Sequence, residues 1–402
     1  MEALLDTVGR PHERIRAFHV AGTNGKGSVS ATLAEVLRRE GLRVALYTSP
    51  HLVDFRERFL IDGVAITEAD VTAWIHRRTP DVERLNATFF EATTTMAFEL
   101  FAAAGVDVAV IEVGLGGRLD ATNVLTPLVA GVASIGIDHV EFLGDTRERI
   151  AWEKAGIFKA GRPAVIGETD PHIRALLAQF ARDAGATPVH VVADEYTVSD
   201  VVVEPSGGTT FSIAGADGRP TRLHTTLSGE HQATNAALAY AMLDVAGPPY
   251  TPTRAVMAEA LATVFLPGRF QRVGAFIFDV AHNPDGATVL ARTLAAVHPP
   301  RPIVAVLSVL NDKDWRGVMT ALAGAVDRFV LTNAPTAPTI RAWRPDDALA
   351  FATAEGWAAE VAPDFDDALA RANALAGTVL VTGSFHTVGD AMASLQLSPF
   401  GG

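Results

Sequence analysis

The sequence predicts an α/β protein with a doubly wound N-terminal domain that carries a phosphate-binding loop and an antiparallel edge section. A smaller Rossmann-like C-terminal α/β domain follows. Three observations lead there. Short continuous apolar runs alternate with helix-period segments, as in buried parallel strands covered by helices. A glycine-rich loop, Gly22 to Ser28, joins the first apolar run to the first helix. A second strand–helix series starts after the break Pro267-Gly268.

Taken in order, Phe18 to Ala21 is the first strand. Ser28 to Glu40 is the first helix, with Val29, Leu33, Val36 and Leu37 on one face and Gly41 as its stop. Leu42 to Tyr47 is the second strand. Thr67 caps a helix over Glu68 to Arg77, with Asp70 three residues on. Phe89 to Ala104 is a longer helix stopped by Gly105, and Asp107 to Val113 and Leu128 to Ser134 are further buried strands. Between residues 196 and 227, Ser206-Gly207-Gly208 and Asp217-Gly218 are turn signals between alternating stretches. Antiparallel hairpins are expected there, on the edge of the first domain. Helices follow near 231–246 and 253–265. The new series starts at Ala275, with strands at Phe276 to Val280, Ile303 to Val309, Phe329 to Thr332 and Thr378 to Thr382. The domains are set at 1–268 and 269–402.

The 402 residues are 49% hydrophobic and 20% charged, enough apolar content to bury a full core. The absence of cysteine excludes disulfides, zinc–thiolate sites and cysteine nucleophiles. Met1 to Arg16 carries Glu2, Asp6, Glu13 and Arg14 and no apolar run, unlike a signal peptide. No stretch approaches the ~18 apolar residues of a membrane span, so a cytoplasmic protein is expected. A net charge of -13 repels polyanions and no basic run offsets it, so nucleic acid is not an expected partner. A small anion is still admissible, because local Lys, Arg and backbone N–H groups can hold it.

Phosphate binding at a helix N-terminus needs converging N–H groups, glycines that let the backbone approach, and a lysine for the terminal phosphates. Gly22-Thr23-Asn24-Gly25-Lys26-Gly27-Ser28 supplies each. It departs from GxxxxGK[ST]: the glycine spacing is shorter, and Gly27 stands where a magnesium-binding hydroxyl usually follows the lysine. Another residue must then help hold magnesium, which takes hard oxygen ligands. Three candidates lie just past strand ends, where open parallel sheets bind ligands. They are Ser49 after the second strand, Glu112 in the position of a Walker-B type acid, and His139 in Gly136-Ile137-Asp138-His139. Each has a plainer role open to it: a turn serine, a strand-end charge, a satisfied core histidine.

Further segments extend this set in order along the chain. They are Thr48-Ser49-Pro50-His51-Leu52, Glu112 to Asn123 (Glu-Val-Gly-Leu-Gly-Gly-Arg-Leu-Asp-Ala-Thr-Asn), Glu153-Lys154-Ala155-Gly156-Ile157, Pro267-Gly268-Arg269, Asp279-Val280-Ala281-His282-Asn283-Pro284 and Thr382 to Val388. Together with the glycine loop and Ile137-Asp138-His139, they resemble the folylpolyglutamate synthase/dihydrofolate synthase family of the Mur ligase group. The resemblance runs from residue ~19 to ~390.

That resemblance implies an ATP-dependent ligase that adds L-glutamate to folate or dihydropteroate through an acyl phosphate. It implies two Mg²⁺ ions, a monovalent cation as a further ligand, and a monomer. Thr23, Asn24, Gly25, Lys26, Gly27 and Ser28 would hold the ATP phosphates. Ser49 and Glu112 would hold one magnesium and His139 the other. Asn235 would reach the adenine, Arg269 the phosphates across the cleft, and Asp279 and His282 the ribose and the transferring phosphate. Lys154 matches a lysine that is carbamylated in relatives. Phe90 and Asp120 lie near the expected pterin, and Ser384 near glutamate. Lys26, Lys154, Arg269 and His282 are the implied catalytic groups. Plainer readings stay open: Asn235 as a polar helix residue, Lys154 as a solvated helix lysine, Ser384 as a helix N-cap. Val280 stands where many relatives have glycine. In this scheme residues 1–268 bind ATP and residues 269–402 bind glutamate.

Both activities, on dihydropteroate and on folate, are expected; polyglutamate extension alone is the alternative, and a P-loop kinase or NTPase a more remote one. Only 21 residues precede Gly22, fewer than the leading substrate domain of a cell-wall Mur ligase needs. A kinase would need neither Arg269 nor the pair Asp279 and His282.

Overall fold

Every residue of Ala17–Ala21 is buried, because this strand has parallel neighbours on both sides. The computed structural model describes residues 1–215 and 217–400. Its first sheet is built from β1 (Ala17–Ala21), β2 (Val44–Tyr47), β3 (Phe59–Ile61), β4 (Val64–Ala65), β5 (Val108–Glu112), β6 (Val129–Val132), β7 (Ala164–Ile166) and β8 (Val189–Val191). The spatial order is β4-β3-β2-β5-β1-β6-β7-β8. From β2 to β8 the pairing is parallel, and β3 and β4 add an antiparallel edge. Helix Lys26–Arg39 covers one face, with Val29, Leu33, Val36 and Leu37 fully buried as the periodicity requires. Helix Phe89–Ala104 covers the other, burying Phe98 and Phe101 against Tyr47 and Phe59.

The antiparallel section forms at β9 (Thr197–Val203), β10 (Thr209–Ala214) and β11 (Thr221–Thr225). It is a three-stranded sheet of its own, not a continuation of the large one. Phe211, Ile213 and Leu223 pack it onto the core shared with helix His231–Ala246. The third sheet comprises β12 (Gln271–Val273), β13 (Phe276–Phe278), β14 (Ile303–Leu307), β15 (Arg328–Leu331), β16 (Ala359–Val361) and β17 (Thr378–Thr382). Its order is β12-β13-β17-β14-β15-β16, parallel except for β12.

Three expectations need adjusting. The first helix starts at Lys26, two residues early, because Gly25 at φ 88° turns the chain directly into it. The helix expected to end at Arg77 runs on to Arg84 through Pro80. Trp74 and Arg78 tie it to Glu99 at 2.9 and 2.7 Å, which anchors the turns just before the missing N–H of Pro80. The C-terminal series begins with β12, ahead of Ala275.

Candidate active site

The carboxyl edge of the large sheet gathers four chain segments. Ser49 follows β2, Glu112 ends β5, the glycine loop follows β1, and residues 134–139 follow β6. In the smaller sheet, Asp279 to His282 follow β13, Lys313 follows β14 and Ser384 follows β17. Both edges line one cleft of about 1350 Å³. Every candidate residue taken from the sequence, from Thr23 to Ser384, lines it.

The glycine loop is held from behind. Thr23 Oγ1 donates to the Gly136 carbonyl at 3.1 Å and accepts the Gly136 N–H at 3.0 Å. A Cβ on Gly25 would stand 2.5 Å from Asn235 Oδ1, so only glycine lets the loop lie against Asn235. Asn235 in turn donates to Gln232 Oε1 at 3.0 Å. Lys26 Nζ donates to the Gly22 and Thr23 carbonyls at 3.1 and 3.2 Å. Burial lowers its pKa, against the pull of Glu112 and Asp138. Gly27 faces Leu266 and Arg269, and Ser28 is buried in the first helical turn.

Glu112 is buried and accepts the Ser49 N–H at 3.2 Å. Burial raises its pKa, with Lys26 the main opposing charge. His139 sits in the left-handed region at φ 51°. Burial pulls its imidazole down to about 4, leaving it neutral at physiological pH, and its Nε2 accepts from Lys313 Nζ at 3.1 Å. Among the described residues no three His, Asp or Glu side chains converge as a metal cage. The hydroxyl of Ser49 and the carboxylate of Glu112 nonetheless fit Mg²⁺, which takes one or two carboxylates and completes its shell with phosphate oxygens and water. A metal role for the His139 nitrogen would require Lys313 to move off it.

Across the cleft, the Arg269 guanidinium lies 5.2 Å from the Phe385 ring centroid and is lowered in pKa by burial. Asp279 accepts the N–H groups of Phe270 and Ala281, both at 2.9 Å, and burial raises its pKa. Val280 fits without glycine: its N–H donates to the Gly268 carbonyl at 3.0 Å, and its side chain fills the space beside Gly268.

One cluster joining the two halves was missed in the sequence. Asp138 meets Lys313 Nζ at 2.5 Å, His282 Nε2 at 3.1 Å and Asn283 Nδ2 at 3.1 Å. Asn283 also donates to Asn24 Oδ1 at 3.3 Å, and Lys313 Nζ meets His139 Nε2 at 3.1 Å. Burial works against the Asp138 charge, but the His282 hydrogen bond and the charges of His282 and Lys313 hold the carboxyl far below the usual range. Asp138 adjoins His139 in a motif that was recognised; Lys313 has no signal of its own in Asn311-Asp312-Lys313-Asp314.

Lys154 is buried, not a solvated helix lysine. Burial brings its amine down to about 7. Gly117 lets the neighbouring loop pack onto it, since a Cβ there would stand 2.8 Å from the Lys154 carbonyl oxygen. Asp120 folds that loop by accepting Leu115 N–H and Thr122 N–H, each at 2.9 Å. Phe90 fills the space over Gly114, where a Cβ would come within 2.2 Å of the ring. Ser384 is the N-cap of helix Phe385–Ser394, accepting Thr387 N–H at 3.0 Å, and it also lines the cleft.

Residues 20–243 match the Mur ligase middle domain, and residues 268–385 match the Mur ligase glutamate ligase domain. A dihydrofolate synthase/folylpolyglutamate synthase of Escherichia coli is 36% identical over 394 residues, spanning 96% of this chain and 88% of the relative. The fold is similar to a Mycobacterium tuberculosis folylpolyglutamate synthase complexed with ADP, with a TM-score of 0.90 and 35% identity over 99% of this chain and 94% of that one. It is also similar to a bifunctional folylpolyglutamate synthase/dihydrofolate synthase with Mn, AMPPNP and L-glutamate bound, with a TM-score of 0.83 and 34% identity over 98% and 94% of the two chains. Likeness at this level across nearly the whole of both chains settles the family: the chain belongs to the dihydrofolate synthase/folylpolyglutamate synthase family of Mur ligases.

Proposed function

We propose that this chain is an ATP-dependent ligase that joins L-glutamate to the carboxylate of dihydropteroate and of tetrahydrofolate. The observation that carries the reading is one cleft in which Lys26 and Glu112 face Arg269, Asp279 and His282 from the other sheet.

An amine does not displace oxygen from a carboxylate at neutral pH, because the leaving group is too poor. Transfer of the ATP γ-phosphoryl group to the acceptor carboxylate makes an acyl phosphate and releases ADP. The glutamate amine then adds to the acyl carbon, and the tetrahedral intermediate expels phosphate as the amine proton is lost. The protein's part is positioning and charge neutralisation. Lys26 and the loop N–H groups hold the β- and γ-phosphates, and Arg269 meets them from the opposite side. Asn235 reaches the adenine, Asp279 the ribose, and His282 the transferring phosphate. Ser49 and Glu112 would hold one magnesium and His139 would hold the second; the ions would supply neutralisation of charge on the phosphates. The ADP, Mn and AMPPNP of the relatives support this assignment.

The Lys154 amine, neutral in part at pH 7, adds to CO2 and loses a proton to give a carbamate, an anionic oxygen group facing Lys26. Phe90 and Asp120 lie near the pterin and Ser384 near the incoming glutamate. Residues 1–268 bind ATP and residues 269–402 bind glutamate. A monovalent cation, a monomeric state and a cytoplasmic setting complete the reading, the first two on the family resemblance. No described helix is long and apolar enough to cross a membrane.

Lys26→Ala and Glu112→Ala are expected to retain the far-ultraviolet circular dichroism of the parent chain. Each should lose glutamate-dependent ADP release by roughly a hundredfold or more. Turnover near the parent rate in either purified variant would sink the assignment.

A further inference from the structure

Arg58 ends the 3₁₀ turn Phe55–Arg58, directly before β3, and is only 7% exposed. It lines the same cleft as Ser49, Phe90 and Glu112. Its carbonyl accepts the Thr48 N–H at 3.2 Å, which ties it to the segment bearing Ser49. Its Nε donates to His51 Nδ1 at 2.9 Å. Its guanidinium carbon lies 6.0 and 5.7 Å from the ring centroids of Phe55 and Phe89, so the aromatic rings frame its position.

A buried guanidinium normally has a carboxylate. Among the described residues none pairs with Arg58, and the carboxylates nearest in influence are committed elsewhere. Glu57 accepts the N–H groups of Leu52, Val53 and Asp54 at 2.9, 2.7 and 2.6 Å. Glu112 accepts Ser49 N–H. Asp54 pairs with Arg56 at 2.6 Å. Besides His51, the Tyr47 hydroxyl supports the Arg58 charge, but among the described residues no carboxylate does so in direct contact, and the guanidinium stands at the wall of a cleft that is open to ligand. Keeping a cation buried with only neutral partners is unfavourable unless a ligand supplies the opposite charge. A planar fork of N–H donors matches a carboxylate in two-point contact.

We propose that Arg58 anchors a glutamyl carboxylate, a role that rests on the ligase reading above. Two substrates carry that group. One is the incoming L-glutamate. The other is the glutamate tail of tetrahydrofolate, which keeps an α-carboxylate beside the one that reacts. Dihydropteroate has only the carboxylate that reacts. The substrates therefore separate the two sources.

The test is the KM for L-glutamate, tetrahydrofolate and dihydropteroate in the parent chain, Arg58→Gln and Arg58→Lys. Loss of a charge-assisted contact raises the affected KM about ten- to a hundredfold. A rise in the glutamate KM with both acceptors identifies the incoming amino acid. A rise in the tetrahydrofolate KM with the dihydropteroate KM unchanged identifies the tail. Either supports the proposal, and Arg58→Lys should recover part of the loss. All three KM values staying within about twofold, whatever happens to kcat, overturn it. If Arg58→Gln fails to fold, Arg58→Lys decides by the same comparison, with the smaller rise expected from a retained charge. Absence of glutamate-dependent turnover in the parent chain would instead count against the ligase reading itself.

Discussion

At the residue scale, Lys154 couples stability to chemistry. Burial holds its amine near 7, while the unfolded chain keeps it near 10.5. Between those values the unfolded state binds more protons, so stability rises with pH across that window. In CO2-free buffer, Lys154→Met is expected to be more stable than the parent at pH 7 by roughly 1–3 kcal/mol and to lose that part of the pH slope. Urea unfolding at pH 7 and pH 9 measures both; an unchanged slope contradicts the burial effect. The same amine should gain the mass of one CO2 in native mass spectrometry, retained above its pKa and lost on acidification. A plain ammonium in active protein would count against the carbamate.

Gly25 is the other single position on which the site turns. Gly25→Ala forces an unfavourable φ and a clash with Asn235 Oδ1. Nucleotide affinity should fall about tenfold or more. Calorimetric titration with ADP checks it, and parent-like affinity would show that the loop tolerates a side chain. Such positions were legible because phosphate chemistry packs glycines and a lysine into one contiguous segment. Asp138, Lys313 and Arg58 were not, because folding alone brings their partners to them from distant parts of the chain.

At the element scale, the loop after β6 is clasped to the loops after β13 and β14 through Asp138. Removing one partner of a buried ion pair costs about 3–5 kcal/mol. Lys313→Met should approach that cost less whatever His282 and Asn283 retain. The Asp138→Asn/Lys313→Met double variant should cost less than the sum of the singles. Additive losses in urea unfolding would mean that the pair is not coupled. The depressed Asp138 pKa makes this stabilisation complete above the ordinary carboxylate range and progressively lost only as pH falls into strong acid. Elements with strong local signals were read closely: helix Phe89–Ala104 and strand Thr378–Thr382 match to the residue. β4, β7, β8 and β16 were not read, because two or three residues carry no usable period. The run through Pro80 was missed because Glu99, which secures that helix, lies on a different one.

At the scale of the whole molecule, two mainly parallel sheets present their carboxyl edges to one cleft. The two-part organisation was visible in the break at Pro267-Gly268 and the renewed strand–helix alternation. The strand order was not, since nothing local states that β1 lies between β5 and β6. That order puts the glycine loop between Glu112 and the segment bearing His139. In the proposed reading, these neighbours are the groups that would make up for Gly27 standing in place of a hydroxyl.

A ligase built this way should spend ATP only when acceptor and amino acid are both present. The most direct test is ADP release by the purified chain with dihydropteroate and tetrahydrofolate in parallel, each with and without L-glutamate. Glutamate-dependent release with both acceptors is the expected result. Release with tetrahydrofolate alone would remove dihydropteroate as a substrate, and release indifferent to acceptor and glutamate would contradict the ligase reading.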